Sequence, residues 1–245
     1  MLQKSFPKEQ SPMLQKSFPN EQSPMLQKSF PNEQIVSIRG FLDEYCAMLA
    51  AALESIDRAQ VERAVEILSD ALDRDATIFC CGNGGSAAIA NHMVCDHQKG
   101  VSTDTIRTPK VVSLSSNVEL VTAIANDIGF EDVFSHALRL HARRGDVLVT
   151  ISSSGNSENI VRAMYTAFSI GMETIAMSGF DGGRSRALAD ASLHVAFDNY
   201  GVIEDAHQTC MHVLAQNLHM RAMSPESLAV EASKAAESAP HGAST

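Results

Sequence analysis

The sequence predicts an α/β protein, a three-layer sandwich in which a five-stranded parallel sheet lies between helices. Short, largely apolar runs alternate with segments of helical length, which is typical of parallel strands covered on both faces. The predicted strands are Thr77 to Cys81, Lys110 to Leu114, Asp146 to Ile151, Glu173 to Met177 and Leu193 to Phe197. Because ligands bind beyond the carboxyl ends of such strands, functional residues are expected directly after these runs.

Two antiparallel helices are predicted before the sheet, as a helical hairpin. Between Ile35 and about Asp75 apolar residues recur at helical spacing, with a break near Ser55. Either Ser55 or Asp57 could cap the second helix. The apolar faces of the two helices must cover the sheet or a second subunit.

The remaining segments define the domain boundaries. Residues 1–34 repeat a polar, Pro-interrupted unit that begins MLQKSFP, and this tandem repeat is predicted to be disordered. Residues 35–223 form one predicted domain, whose last helix runs from about Val202 to Met223 and is closed by Pro225. The Ala/Ser/Glu-rich residues 224–245 are predicted to be a disordered tail.

The composition disfavours several classes of function. The 245 residues include 19 Lys and Arg against 29 Asp and Glu, a net charge of -10, so a nucleic-acid binder with a basic surface is not expected. No apolar stretch approaches the roughly 20 residues that span a bilayer, and the N-terminus is unlike a signal peptide, so we expect no membrane association and a cytoplasmic location. The five cysteines show no CxxC spacing and are expected to be reduced thiols.

The first candidate binding loop follows the first predicted strand, at Gly82-Asn83-Gly84-Gly85-Ser86. Glycines at a strand-to-helix turn let the backbone approach a ligand, and Ser86 is expected to cap the next helix, Ala87 to His97, whose N–H groups would face an anion. An ordinary tight turn is the plain alternative. A dinucleotide site is a weaker one, because the second strand is followed by Ser115 and Ser116 instead of an acidic residue.

The second candidate loop follows the third predicted strand and is rich in serine. Its hydroxyl groups belong to Ser152, Ser153, Ser154 and Ser157, and the last of these opens a helix. Four hydroxyls and the first-turn amides form a neutral cage for a dianionic phosphate, which the helix dipole favours. A plain capped loop needs one serine rather than four, so we expect a phosphate site.

Four motifs together carry a resemblance to a known family: CGNGGS after the first strand, AIANDIGF in the middle, and ISSSGNSENI followed by GFDGG. From about Ala51 to Met220 the chain resembles the SIS-domain proteins, specifically the sedoheptulose 7-phosphate (phosphoheptose) isomerases. The resemblance implies an isomerase that supplies heptose for surface polysaccharide, such as lipopolysaccharide or capsule. It also implies a homotetramer whose sites form between subunits.

The same resemblance implies a set of contacts with a sugar phosphate. Its sugar would contact Asn83, Gly84, Gly85 and Ser86, with Asn126 and Asp127 helping to hold it, and its phosphate would bind to Ser152, Ser153, Ser154 and Ser157.

Four polar residues on two predicted helices form a candidate metal and acid–base site. His92 and Asp96 are four residues apart, on one face of a helix, and Glu204 and His212, eight apart, lie on roughly the same side of the last helix. Two imidazoles and two carboxylates suit Zn²⁺ or a related divalent ion. Such pairs are also found solvated or locally paired, and Asp205, seven residues before His212, shares the same stripe.

The resemblance implies His, Glu, Gln and His as zinc ligands, one ion per subunit, with the Glu and the second His as the catalytic pair. His92 and His212 match, whereas Asp96 stands where Glu is expected and Glu204 where Gln is expected. Because Asp is shorter by one methylene, Asp96 would reach the substrate only after a shift of about an ångström. We therefore expect Asp96 or Glu204 as the base and His212 as the acid.

Three alternatives to this isomerase remain open. A non-catalytic SIS protein, such as the bacterial replication-initiator-binding factors, would share the loops but not the C-terminal histidine, so His212 favours the enzyme. A phosphosugar sensor of transcription is disfavoured because no helix-turn-helix segment with a basic face precedes the domain. An isomerase acting on a different sugar phosphate is compatible with the altered carboxylates.

Overall fold

The structure is a computed structural model that describes residues 37–224 and residue 227. The predicted disordered repeat of residues 1–34 lies outside the described residues. The predicted disordered tail lies outside them too, except for Ser224 and Ser227.

A five-stranded sheet forms the centre of the molecule, with all strand pairs parallel and the order β2-β1-β3-β4-β5. Its strands are β1 (Thr77–Gly82), β2 (Lys110–Ser113), β3 (Val147–Ser152), β4 (Glu173–Ser178) and β5 (Ala191–His194). The prediction of a five-stranded parallel sheet is therefore confirmed.

The last strand differs from its predicted range of Leu193 to Phe197. It begins at Ala191 and leaves the sheet after His194. The chain then makes a tight turn, in which the Phe197 N–H donates to the Val195 carbonyl at 2.8 Å and the Phe197 carbonyl accepts from Phe180 N–H at 2.9 Å. The apolar run continues into this turn, so apolar character alone placed the strand too late.

Eight α-helices surround the sheet within residues 37–224. They are α1 (Ile38–Glu54), α2 (Arg58–Asp73), α3 (Gly85–Cys95), α4 (Val118–Asp127), α5 (Val133–His141), α6 (Glu158–Ile170), α7 (Gly183–Leu188) and α8 (Tyr200–Ala222). A π-helical turn (Asp96–Val101) extends α3, and a 3₁₀ turn (Phe130–Asp132) precedes α5.

Helices cover both faces of the sheet, because successive apolar side chains along each strand point to opposite faces and both sets must be buried. In β1, Ile78 and Cys80 pack into a core with α2, α3 and α8, whereas Phe79 and Cys81 pack into the opposite core with α4, α5 and α6. All six residues of β3 are buried, because this central strand is covered on both faces. The three-layer sandwich is confirmed.

The two predicted N-terminal helices are present, but each packs mainly on another element instead of on the other helix. Asp57 caps α2 by accepting the Ala59 N–H at 2.9 Å, while Ser55 ends α1 and accepts the Ala196 N–H at 3.0 Å. Helix α2 packs on the sheet, and α1 packs on α8. The outer face of α1 leaves apolar side chains exposed, including Ile38 at 84%.

None of the helices in the described part of the chain combines the length and the apolar character that crossing a bilayer requires. The five cysteines are free thiols in the structure, and Cys80, Cys81 and Cys210 are buried.

His207, on the inner face of α8, generates a prediction about stability. Its ring is fully buried, and burial lowers the pKa of His207 to about 4. In the unfolded chain a histidine has a pKa of about 6.5, so protonation favours unfolding. The stabilising contribution of the neutral ring is complete above pH 6.5 and is lost as the pH falls towards 4, by roughly 2 kcal/mol at pH 5.

Denaturant unfolding at pH 7.5 and pH 5.0 measures this loss. The variant His207→Gln should lose less stability between the two pH values than the wild type, whatever its stability at pH 7.5. His141→Gln, which removes an exposed histidine, should keep the wild-type pH dependence. Equal pH dependence in wild type and His207→Gln would contradict the assignment.

Candidate active site

The first loop connects β1 to α3 and is held in place by Ser115. The Ser115 hydroxyl accepts the Gly82 N–H at 3.1 Å and donates to the Gly82 carbonyl at 2.8 Å. Gly84 adopts a φ of +53°, which favours glycine. The predicted capping role of Ser86 is wrong, because α3 already begins at Gly85, and the buried Ser86 lies within its first turn.

The second loop connects β3 to α6 and contains the four predicted serines. Ser152 and Ser153 are buried at the end of the strand. Ser157 occupies the N-cap position of α6, yet its hydroxyl makes no capping hydrogen bond and stays available to a ligand. Gly155, at a φ of +61°, lies so close to the Gly182 carbonyl that a side chain would not fit.

A reciprocal amide pair ties the two loops together. Asn83 Nδ2 donates to Asn159 Oδ1 and Asn159 Nδ2 donates to Asn83 Oδ1, both at 2.9 Å. Asn159 is 2% exposed and lies in the first turn of α6. In the sequence Asn159 is marked only as part of the motif ISSSGNSENI. Its pairing with Asn83, 76 residues away, gives no local signal.

The two loops enclose a cavity of about 170 Å³ at the carboxyl ends of the central strands. It is lined by Asn83, Ser86, Ile151, Ser152, Ser153, Ser154, Ser157, Tyr200 and Glu204. The lining holds no lysine or arginine, so an anion here would be held by hydroxyl groups and by the amides at the start of α6. Tyr200, at the start of α8, was missed by the sequence reasoning because nothing in its local pattern marks it.

Of the remaining predicted sugar contacts, Gly84 and Gly85 belong to the first loop beside the cavity, whereas Asn126 and Asp127 lie elsewhere. These two exposed residues end α4, and Asn126 Nδ2 donates to Asp127 Oδ1 at 2.7 Å. Within one chain they are not among the cavity-lining residues.

Three of the predicted metal ligands meet between α3 and α8. His92 Nε2 lies 3.1 Å from Asp96 Oδ1, and His212 Nδ1 lies 2.7 Å from Asp96 Oδ2. One ligand atom from each of the three residues lies within 4.8 Å of the others. Asp96 is the first residue of the π-helical turn, which packs against α8.

Glu204 and Asp205 lie apart from this group. Glu204 lines the cavity, and its carboxylate is so close to Gly85 that a Cβ at Gly85 would overlap it. Asp205, the alternative ligand, instead accepts a hydrogen bond from the Tyr45 hydroxyl at 2.6 Å. Burial, assisted by Asp205, raises the pKa of Tyr45 to about 12.

Gln208 lies beside the imidazoles of His92 and His212, and no prediction from the sequence included it. Its Nε2 lies 3.1 Å from His92 Nδ1 and 2.8 Å from His212 Nε2. Glu204, Gln208 and His212 are spaced by four residues, so they form one stripe along α8. That spacing was a signal, but a glutamine on a helix is most often simply solvated.

The donor set fits a divalent transition metal. Two imidazoles and one carboxylate are the ligand types of a catalytic Zn²⁺ site, which uses three protein ligands and an open position. The residues that fit are His92, Asp96 and His212, and the stripe of α8 connects them to the serine-lined cavity.

The sheet order, the glycine-rich first loop and the serine-rich second loop define a phosphosugar-binding α/β protein of the SIS class. The SIS-domain family model matches residues 41–179. The phosphoheptose isomerase of Helicobacter pylori strain P12 is 34% identical over 180 residues, which cover 70% of this chain and 90% of that protein. The chain therefore belongs to the phosphoheptose isomerase family of SIS-domain proteins.

Two solved structures agree with this family. The phosphoheptose isomerase from Neisseria gonorrhoeae has a TM-score of 0.69 at 32% identity, over 74% of this chain and 98% of that chain. The phosphoheptose isomerase from Francisella tularensis also has a TM-score of 0.69, at 25% identity, over 75% of this chain and 96% of that chain.

The contact between Gly85 and Glu204 generates a prediction. In Gly85→Ala the added Cβ would meet the Glu204 carboxylate and displace it by about an ångström, which should lower kcat/KM roughly a hundredfold. A matched control is Gly100→Ala, because a Cβ at Gly100 meets nothing within 4 Å. Steady-state kinetics of both variants, with circular dichroism to verify folding, measure the effect. Wild-type activity in Gly85→Ala would show that the position of Glu204 is unimportant.

Proposed function

We propose that this protein is an aldose–ketose isomerase that converts sedoheptulose 7-phosphate to a heptose 7-phosphate for the synthesis of surface-polysaccharide heptose, as in lipopolysaccharide or capsule. The observation that carries the proposal is the stripe on α8, which connects a serine-lined cavity at Glu204 to a histidine and carboxylate cluster at His212. Membership of the phosphoheptose isomerase family supports the same activity.

The phosphate of the substrate binds in the second loop. The cavity is lined by Ser152, Ser153, Ser154 and Ser157, and the N-terminal end of α6 adds the positive end of its dipole. Holding the phosphate here fixes one end of the sugar and leaves its carbonyl end to reach towards α8. The loop therefore provides orientation as well as affinity.

Proton transfer between C1 and C2 passes through an enediol and needs a base beside those carbons. Glu204 is the carboxylate that lines the cavity, whereas Asp96 is hydrogen-bonded to His212 and lies beside His92. We assign Glu204 as the base that carries the proton, and His212, through its Nε2, as the acid that serves the substrate oxygens. Without a metal ion Asp96 orients His212 through the 2.7 Å hydrogen bond to Nδ1.

A Zn²⁺ ion, one per subunit, would be held by His92, Asp96 and His212, and when bound it would supply Lewis-acid polarisation of the substrate carbonyl. Glu204 as a further ligand remains a prediction from the resemblance, since its carboxylate lies against Gly85.

A cytoplasmic homotetramer completes the proposal. Exposed apolar side chains, including Ile38 and Leu42 on α1 and Ile128 and Phe130 after α4, favour burial between subunits. In such an assembly the exposed end of α4 would bring Asn126 and Asp127 of one subunit to the cavity of another. Free thiols and a phosphorylated substrate favour the cytoplasm.

A substrate panel tests the function. Purified protein is incubated with sedoheptulose 7-phosphate and with pentose and hexose phosphates, with and without added zinc. We expect turnover of the heptulose phosphate. Turnover of a different sugar phosphate would correct the substrate, and binding without turnover of any would support a non-catalytic SIS protein.

The variant His212→Ala tests the proposed mechanism. Loss of the general acid should lower kcat by roughly 10²- to 10⁴-fold, while the fold measured by circular dichroism is kept. His219→Ala is the matched control, because this histidine lies on the same helix and its Nε2 contacts the Thr103 carbonyl instead. Similar activity in both variants would remove His212 from the mechanism.

A further inference from the structure

Four side chains between α3 and α8 form a closed ring of contacts, three of which are hydrogen bonds. Asp96 contacts one nitrogen of each imidazole, His92 Nε2 at 3.1 Å and His212 Nδ1 at 2.7 Å. Gln208 Nε2 contacts the other nitrogen of each, His92 Nδ1 at 3.1 Å and His212 Nε2 at 2.8 Å. We call the nitrogens that face Asp96 the inner nitrogens and those that face Gln208 the outer nitrogens.

The hydrogen-bonding capacity of these groups determines where the protons lie. A carboxylate only accepts, so the inner nitrogen of His212, which is hydrogen-bonded to Asp96, must carry a proton. The outer nitrogen of a neutral His212 then has a free lone pair, which accepts one N–H of the Gln208 amide. The second N–H of the amide faces the outer nitrogen of His92, which accepts it when the proton of a neutral His92 lies on the inner nitrogen.

Binding of a metal ion between Asp96 and the inner nitrogens would require the opposite arrangement. The ion binds the lone pair of a neutral imidazole, so ligation through the inner nitrogens, beside the carboxylate of Asp96, moves each proton to the outer nitrogen. The outer N–H groups would then face the N–H groups of Gln208. Turning the amide by half a rotation replaces its nitrogen with Oε1, whose two lone pairs accept both protons.

We propose that Gln208 is a positioning residue that sets the tautomers of His92 and His212 together, and that its amide turns round when the centre takes up a metal ion. The inference rests on the proposed metal centre and deepens it. The two histidines exchange tautomers without releasing a proton, so the amide supports the empty and the occupied centre equally well. Orienting groups of this kind typically change metal affinity by roughly 10- to 100-fold.

Two substitutions at one position should act in opposite directions. Gln208→Glu can only accept, which favours the outer protons and should tighten zinc binding severalfold. Gln208→Met keeps the length of the side chain but neither donates nor accepts well, and it should weaken zinc binding roughly 10-fold or more. Thr209→Glu, which adds the same charge to the neighbouring residue of α8, is the control for electrostatic attraction.

Chelator competition measures zinc affinity, and NMR of protein with ¹⁵N-labelled histidine identifies the protonated nitrogens. In the metal-free wild type we expect Nε2–H on His92 and Nδ1–H on His212. In metal-free Gln208→Glu, and in the zinc-loaded wild type, we expect Nδ1–H on His92 and Nε2–H on His212. Thermal melting verifies that each variant is folded.

The outcomes separate this inference from the proposed function, because no sugar substrate is involved. Wild-type tautomers and wild-type zinc affinity in both Gln208 variants would overturn the role of Gln208 while leaving the metal centre intact. An equal gain in affinity in Gln208→Glu and Thr209→Glu, without a change of tautomer, would also overturn it. If the wild type binds no zinc, the metal centre fails, and the amide rotation fails with it.

Discussion

The parallel pairing of β1 with β3 is the constraint on which the site depends. Gly82 at the end of β1 lies opposite Ile151 near the end of β3, so both strands release the chain at the same edge of the sheet. The glycine loop and the serine loop therefore begin side by side, although they are separated by about seventy residues. The amide pair of Asn83 and Asn159 then joins them across the gap. Loss of Asn83 would leave the buried amide of Asn159 without its partner, at a cost of roughly 1 to 3 kcal/mol, so the pair stabilises the placement of the two loops side by side.

Helix α8 adds the chemical groups to this binding unit. Its apolar face packs into the same core as α2 and α3, which leaves the stripe of Glu204, Gln208 and His212 directed to the loops and to α3. Over eight residues the helix rises by about 12 Å, a length comparable to that of a sugar phosphate. The packing of this one helix on the sheet therefore brings together the cavity and the group of histidines that the proposed function assigns to binding and to acid–base chemistry.

Features with a local signal were predictable from the sequence. The five strands, the two N-terminal helices and the two loops came from apolar periodicity and from glycine and serine at strand ends, and the proximity of His92 and Asp96 came from helical spacing. Features that depend on contacts between distant parts of the chain were not predictable from the sequence. The start of α3 before Ser86 depends on Gly84, and the role of Gln208 depends on a histidine 116 residues away. Asn126 and Asp127 were predicted to hold the sugar from the family resemblance alone, and within one chain they do not line the cavity.

Asp96 and Glu204, the two positions at which this chain departs from the family resemblance, have different surroundings in the structure. Asp96 was expected to reach the substrate only after a shift of about an ångström. In the structure it begins the π-helical turn that packs against α8, and it is hydrogen-bonded to His212 at 2.7 Å. Its carboxylate is not among the groups that line the cavity. Glu204 reaches the cavity because Gly85 has no side chain to exclude it. In the proposed function Asp96 orients His212 and Glu204 acts on the substrate, so the two positions that depart from the family resemblance have separate tasks.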